Sequence, residues 1–257
     1  MEGLREFARQ CNLLLHQEGV LSISTIRTLE AEGFLLRPSS VALEYAKARD
    51  TRVSENLAEE ESRSRISVLV ARSPHNQCSV WTPTQMKGVI SITPAEGLSE
   101  NASSRAQEMA LEIAEESGLV GVMNVEMLAD HNGIGNGIEI GQVGIYPTLA
   151  GNWTLEGSCT SQYEQHLRAI LDLPLGDPTM RSPFAVSATF QSRTKSNMYR
   201  PYLHLMARSP ALKFHQYRPE GDGATPQGHV TAVGDDLVDL LQCVNHAIDY
   251  MSGAVDE

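Results

Sequence analysis

The 257-residue chain has only four cysteines, Cys11, Cys78, Cys159 and Cys243. They are scattered, with no CxxC pair and no histidine at ligand spacing. That argues against a disulfide framework or a cysteine zinc site, and for reduced thiols in a cytoplasm. Long apolar runs are missing too: none approaches membrane-spanning length, and the N-terminal MEGLREFARQ carries charges where a signal peptide needs an apolar stretch. Positive charge is scarce. Twenty Lys and Arg stand against 32 Asp and Glu, and a formal net charge of −12 repels nucleic acid and anionic membrane. The first expectation is a cytoplasmic protein with no nucleic-acid or membrane partner.

What is present is enough for a core. A hydrophobic content of 41% and a charged content of 20% suit a soluble globular protein, and the length allows one large or two small domains. LREFARQCNLLLHQEG sets Leu4, Phe7, Cys11 and Leu14 on one helical face and stops at Gly19. STIRTLEAEG and RPSSVALEYAKAR continue the helical pattern, the latter with serines available as caps. Residues 50–64 are polar, without apolar period, and read as a linker. RISVLVARS then predicts a central strand. SSRAQEMALEIAEESG predicts a helix with Ser104 and Gln107 at capping-box spacing. A second helix follows Ser161 and Glu164, with Leu167, Ile170 and Leu171 as its buried stripe. After the break at Pro174 to Pro183 come the strands FAVSATF, LKFHQY and HVTAVG, and a last helix closing at Gly253. The mixed order of strands and helices gives an α/β to α+β class.

Between two of these helices lies NVEMLADHNGIGNGIEIG, residues 124–141. It places Glu126 and Glu139 in two expected strands around a Gly/Asn turn. On paired antiparallel strands, side chains opposite each other share a face, so the two carboxylates can converge. Such a pair repels unless a cation sits between, and Mg²⁺ with phosphate oxygens fits the arrangement. An exposed sheet face of alternating polar residues produces the same pattern, and the residues alone leave both readings open. GIGNGI is no dinucleotide fingerprint, since it precedes a strand.

Four segments in order, RISVLVARS, ITPAEGLSENASSRAQEMALEIAEESGLVGVMNVEML, NWTLEGSCTSQYEQHLRAILDLPLG and GHVTAVGDDL, resemble the 5-(carboxyamino)imidazole ribonucleotide synthases. These are ATP-grasp carboxylases of bacterial purine biosynthesis. The resemblance covers about three quarters of the chain. It implies an ATP-grasp-like core at 65–176, preceded at 1–49 by the end of the domain before it. A linker at 50–64 stands where the lid would be, and a small mixed C-terminal unit occupies 177–257. It implies ATP and Mg²⁺ (or Mn²⁺) as cofactors, aminoimidazole ribonucleotide and bicarbonate as substrates, and a homodimer. By the same resemblance Glu126 and Glu139 hold the metal, Arg49 and Glu139 meet the nucleotide, and Asn152, Trp153, Thr154, Arg218 and His229 face the ribonucleotide. No catalytic residue is assigned.

The chain departs from the family pattern at defined places. Where the family carries NExAPRxHNSGHWT, this sequence reads IEIGQVGIYPTLAGNWT, with Ile138 for the asparagine and no Arg or His. Where the family has RPGRKxGHV, it reads RPEGDGATPQGHV, in which Arg218 stays but Glu220 and Asp222 replace cations, a poor exchange for binding phosphate. Residues 50–64 contain no glycine-rich phosphate loop. Matching segments interrupted by non-matching ones are the pattern of a truncated or frame-disrupted relative. The alternative expectation is therefore an inactive ATP-grasp remnant serving as a binding or scaffold protein.

Overall fold

The computed structural model describes residues 2–16, 19–49, 63–130, 137–190, 199–217 and 227–253. Near the N-terminus are helix α1 (Glu2–Ala8), strand β1 (Leu14–Leu15), helix α2 (Ile23–Ala31), strand β2 (Leu36–Arg37) and helix α3 (Ser40–Ala48). The helix expected to run to Gly19 stops at Ala8, because Leu14 and Leu15 pair in parallel with Leu36 and Arg37 instead. Ala8, Leu14, Ile26, Leu29 and Leu36 make the small core of this region.

The rest is built on one nine-stranded sheet. Its strands are β3 (Arg63–Arg72), β4 (Cys78–Val80), β5 (Thr84–Lys87), β6 (Ile90–Thr93), β7 (Gly121–Asp130), β8 (Ile138–Gly144), β9 (Phe184–Phe190), β10 (Lys213–Gln216) and β11 (Gly228–Gly234). The order is β10-β11-β9-β6-β5-β3-β7-β8, with β4 also on β3, and every pair is antiparallel. β3 begins at Arg63, so the last two residues of the expected linker are already strand. The others lie outside the described residues.

Helix α4 (Glu100–Glu116) covers one face of the sheet. Its Ala106, Ala110, Ile113 and Ala114 pack on Ile66, Val68, Val70, Met123, Val125 and Met127. The cap is Ser99, which accepts from Ala102 N, and not Ser104, which sits inside the helix. A serine one residue before Glu100 has the extended backbone a cap needs. The same face continues over β9 and β11, where helices α7 (Tyr199–Arg208) and α8 (Leu237–Ser252) bury Val186, Ala188, Phe190, Val230 and Ala232. Asp236 caps α8 by accepting from Val238 N and Asp239 N, and Gly253 closes it at φ 74°, as expected.

On the second face lie a short helix α5 (Thr154–Gly157), a 3₁₀ turn at Leu149–Gly151 and helix α6 (Gln162–Ile170). Ser161 caps α6 as predicted, accepting from Glu164 N. The inward stripe differs: Leu167 and Leu171 are 51% and 55% exposed, while Gln162, Gln165, Ala169 and Ile170 are buried. The glutamines turn inward because each finds polar partners. Gln162 bonds the backbone of Thr148 in both directions, and Gln165 bonds Ser79 Oγ and both backbone groups of Gly176. No described helix is long and apolar enough to cross a membrane.

Candidate functional site

Strand register decides which side chains share a surface. β3 and β7 pair with Ser67 opposite Glu126, Arg65 opposite Leu128 and Leu69 opposite Asn124. Alternation therefore sets Arg63, Arg65, Ser67, Asn124 and Glu126 on the second face, away from α4. β8 adds Glu139 opposite Leu128 and hence on that same face. A bulge makes two β8 residues, Gly141 and Gln142, oppose Glu126 alone. The two glutamates expected to converge thus sit on one side of adjacent strands.

Each acid has a guanidinium for company. Arg63 donates to Glu139 Oε2 at 2.8 Å and to the carbonyls of Leu128 and Gly137. Glu139 is otherwise exposed, so water screens that pair. Glu126 is half-buried. Desolvation pushes its carboxyl above the ordinary range, and the charge of Arg65 works against that rise. Arg63 lay in the stretch expected to be linker, so periodicity gave no reason to single it out. Arg49 stands elsewhere. It caps α3, bonds Glu116 at 3.2 Å on α4 and lies 4.6 Å over the Tyr45 ring, on the side of the sheet opposite Glu126. Arg218 lies outside the described residues, as does the turn around His131 and Asn132.

A second polar group forms where the 149–157 segment crosses the sheet. Gly151 and Gly157 let the backbone come that close: a Cβ at 151 would stand 2.3 Å from Gln162 Oε1, and one at 157 would stand 2.9 Å from Ala185 Cβ. Trp153 is fully buried against Leu69, Ala71, Trp81 and Ala185. Thr154 is also buried. Its hydroxyl donates to Gly151 O and accepts from Gln162 N, so it joins the turn to α6. Asn152 starts a chain of hydrogen bonds in which Tyr163 OH donates to its Oδ1 and its Nδ2 donates to Tyr217 OH. Tyr217 OH lies 2.6 Å from Nδ1 of His229.

His229 is 1% exposed, and burial together with the neighbouring His215 pulls its pKa down to about 4. Burial, with Tyr163 next, pushes the Tyr217 phenol up to about 12. The rings of His215 and His229 stack at 4.5 Å, and His215 Nε2 is 2.7 Å from Glu156 Oε1. Three of the expected substrate-side residues, Asn152, Trp153 and His229, are thereby gathered. Their partners Glu156, Tyr163, Tyr217 and His215 were not legible as a group, since they come from α5, α6 and the end of β10. His166 accepts from Val122 N at 3.0 Å and presses its ring on Gly121.

Residues 40–163 match the family model of the ATP-grasp domain. The N5-carboxyaminoimidazole ribonucleotide synthase of Mycobacterium tuberculosis is 34% identical over 198 residues, covering 74% of this chain and 46% of that protein. The Mycobacterium leprae protein of the same name is 36% identical over 187 residues, covering 68% and 42%. The chain therefore spans about half the length of these curated relatives. Among solved structures, N5-carboxyaminoimidazole ribonucleotide synthetase of Thermotoga maritima superposes with a TM-score of 0.79 at 20% identity, covering 97% of this chain and 84% of that one. The Aspergillus clavatus N5-carboxyaminoimidazole synthase, solved with ADP and 5-aminoimidazole ribonucleotide, gives 0.75 at 17%, covering 97% and 84%. At those identities the superpositions establish a shared ATP-grasp fold.

Proposed function

We propose, from the premise that this chain carries an ATP-grasp domain and is a homologue of the N5-carboxyaminoimidazole ribonucleotide synthases, that it works as their kind of ligase. The reaction is ATP-dependent carboxylation of 5-aminoimidazole ribonucleotide by bicarbonate, giving the N-carboxylated ribonucleotide, ADP and phosphate. It belongs to purine biosynthesis, in the cytoplasm, carried out by a homodimer. Bicarbonate takes the γ-phosphoryl group of ATP, and the activated carboxyl then passes to the exocyclic amine. Both partners of the first step are anions, so catalysis needs charge compensation and alignment more than covalent chemistry.

The observation that carries this reading is the shared face of Glu126 and Glu139, flanked by Arg63 and Arg65. Two carboxylate oxygen donors on adjacent strands suit magnesium, which takes one or two carboxylates beside phosphate oxygens. Burial raises the cost of charge on Glu126, and a bound cation relieves it. When bound there, the ion supplies charge neutralisation at the triphosphate. Arg63, released from Glu139, is then placed to meet a phosphate. Asn152, Trp153, Thr154, His229 and Arg218 are the residues that the family resemblance assigns to the acceptor ribonucleotide. Arg49 is retained as a nucleotide contact only if α3 moves, since Glu116 holds it on the other side of the sheet.

One observation favours a second reading. Glu139 is already paired with Arg63 and open to water, so this carboxylate does not by itself call for a metal. On that reading the chain is an ATP-grasp remnant acting as a binding or scaffold protein. Calorimetric titration with ATP, with and without Mg²⁺, separates the two. The ligase reading expects metal-dependent ATP binding and phosphate release that requires both bicarbonate and the ribonucleotide. Folded protein that binds no ATP in either condition overturns it.

A further inference from the structure

Glu156, His215 and His229 offer one ligand atom each, and these atoms all lie within 4.8 Å of one another. They come from α5, β10 and β11, so the topology assembles them, and they are the one such group of three among the described residues. Two atoms in the group are buried without a partner, Nε2 of His229 and Oε2 of Glu156. A buried polar atom left bare loses its hydration with nothing in return. Two bare atoms within one cluster of three possible ligands call for an occupant. We propose that these three side chains form a binding site for a divalent transition-metal ion of the zinc class.

The donor set selects the ion. Two imidazole nitrogens and one carboxylate suit zinc or cobalt, whereas magnesium and calcium take oxygen. Ligand bonds of about 2.0–2.2 Å place neighbouring donors roughly 3.3 Å apart, so on binding the wider separations in the group close and the 2.7 Å His215–Glu156 pair opens slightly. His215 and Glu156 are already at 2.7 Å, and their side chains are partly open to solvent, which leaves the remaining coordination position to water.

The hydrogen-bond chain behind His229 is built to allow this. In one direction Tyr163 donates to Asn152, Asn152 to Tyr217, and Tyr217 to Nδ1 of His229, which puts the ring proton on Nε2. With the Asn152 amide turned over, every bond in the chain reverses. Nδ1–H then donates to Tyr217, Tyr217 to Asn152 and Asn152 to Tyr163, and Nε2 carries a bare lone pair. A metal at Nε2 selects the second direction. Tyr217 thus serves as the outer partner that orients a ligand histidine.

The test of this inference needs neither ATP nor ribonucleotide, although His229 and Asn152 are also among the residues assigned to the acceptor side of the carboxylation reading. The test is titration of the full chain, stripped with a chelator, with Co²⁺ followed by visible absorption, and with Zn²⁺ by calorimetry. One equivalent of each should bind. Glu156→Gln and His215→Asn, both at partly exposed positions and checked for folding by circular dichroism, should each lose the cobalt bands. Tyr217→Phe should weaken affinity about 10–100-fold. His204→Asn, removing half of the other close imidazole pair at 3.1 Å, should change nothing. Absence of stoichiometric binding by the folded wild type, unchanged bands in the first two variants, or loss of them in His204→Asn overturns the proposal.

Discussion

Acidification of the metal-free protein should expose His229 as a defined source of instability. The ring is buried beside His215, and its pKa sits at about 4 against an ordinary 6.5. Between those values the unfolded chain binds a proton that the folded chain refuses. Stability from this residue is therefore complete above pH 6.5 and is lost as pH falls toward 4. A displacement from 6.5 to about 4 corresponds to about 3 kcal/mol, and roughly 2.5 kcal/mol of it disappears between pH 7.5 and 4.5. The groups facing the ring are His215, Glu156 and Tyr217. Urea unfolding with a chelator present, at several pH values, should give wild type a steeper loss than His229→Gln by about that amount. His229→Gln will be less stable at neutral pH, so the pH slope and not the midpoint is the readout. Equal slopes in the two proteins would refute the reasoning.

Other expectations concern separate parts of the molecule. Ser99→Ala should destabilise the fold by about 1 kcal/mol through loss of the α4 cap, while Ser104→Ala should be near neutral, both read by thermal melting. Gly157→Ala should cost about 1–3 kcal/mol, because the new methyl meets Ala185 Cβ and Trp153 Cε3 at 2.9 Å. In calorimetry, Glu126→Gln should abolish the magnesium dependence of ATP binding, whereas Arg63→Ala should strengthen binding of Mg²⁺ alone by freeing Glu139 and weaken binding of Mg²⁺–ATP. Unchanged magnesium dependence in Glu126→Gln would remove that carboxylate from the nucleotide site.

Much of the fold was legible because its signals are local. β3 and β7 announce themselves as apolar runs, and the caps of α6 and α8 are side chains within three residues of the backbone they serve. The shared face of Glu126 and Glu139 follows from strand alternation around a turn, which sequence also carries. What stayed hidden depends on contacts across the chain. α1 stops early because β1 and β2 pair over 22 residues, a competition invisible in a helical window. The outward Leu167 and inward Gln165 reverse the ordinary sorting, because Ser79 and Gly176 supply the partners from far away. The Glu156–His215–His229 group needed β10 and β11 to bring residues 59 and 14 positions apart to one spot.

Those inward glutamines set limits on how α6 can drift. An oily interior tolerates exchange among side chains of similar bulk, since any of them fills the same space. Gln162 and Gln165 act instead as keys cut for particular backbone groups. A leucine of comparable size in either place would leave peptide groups of Thr148 or Gly176 stranded without water. The loop bearing Asn152 and Trp153 is thus fastened by atoms that accept few substitutes, and the surface of α6, where Leu167 and Leu171 lie open, is where variation should collect.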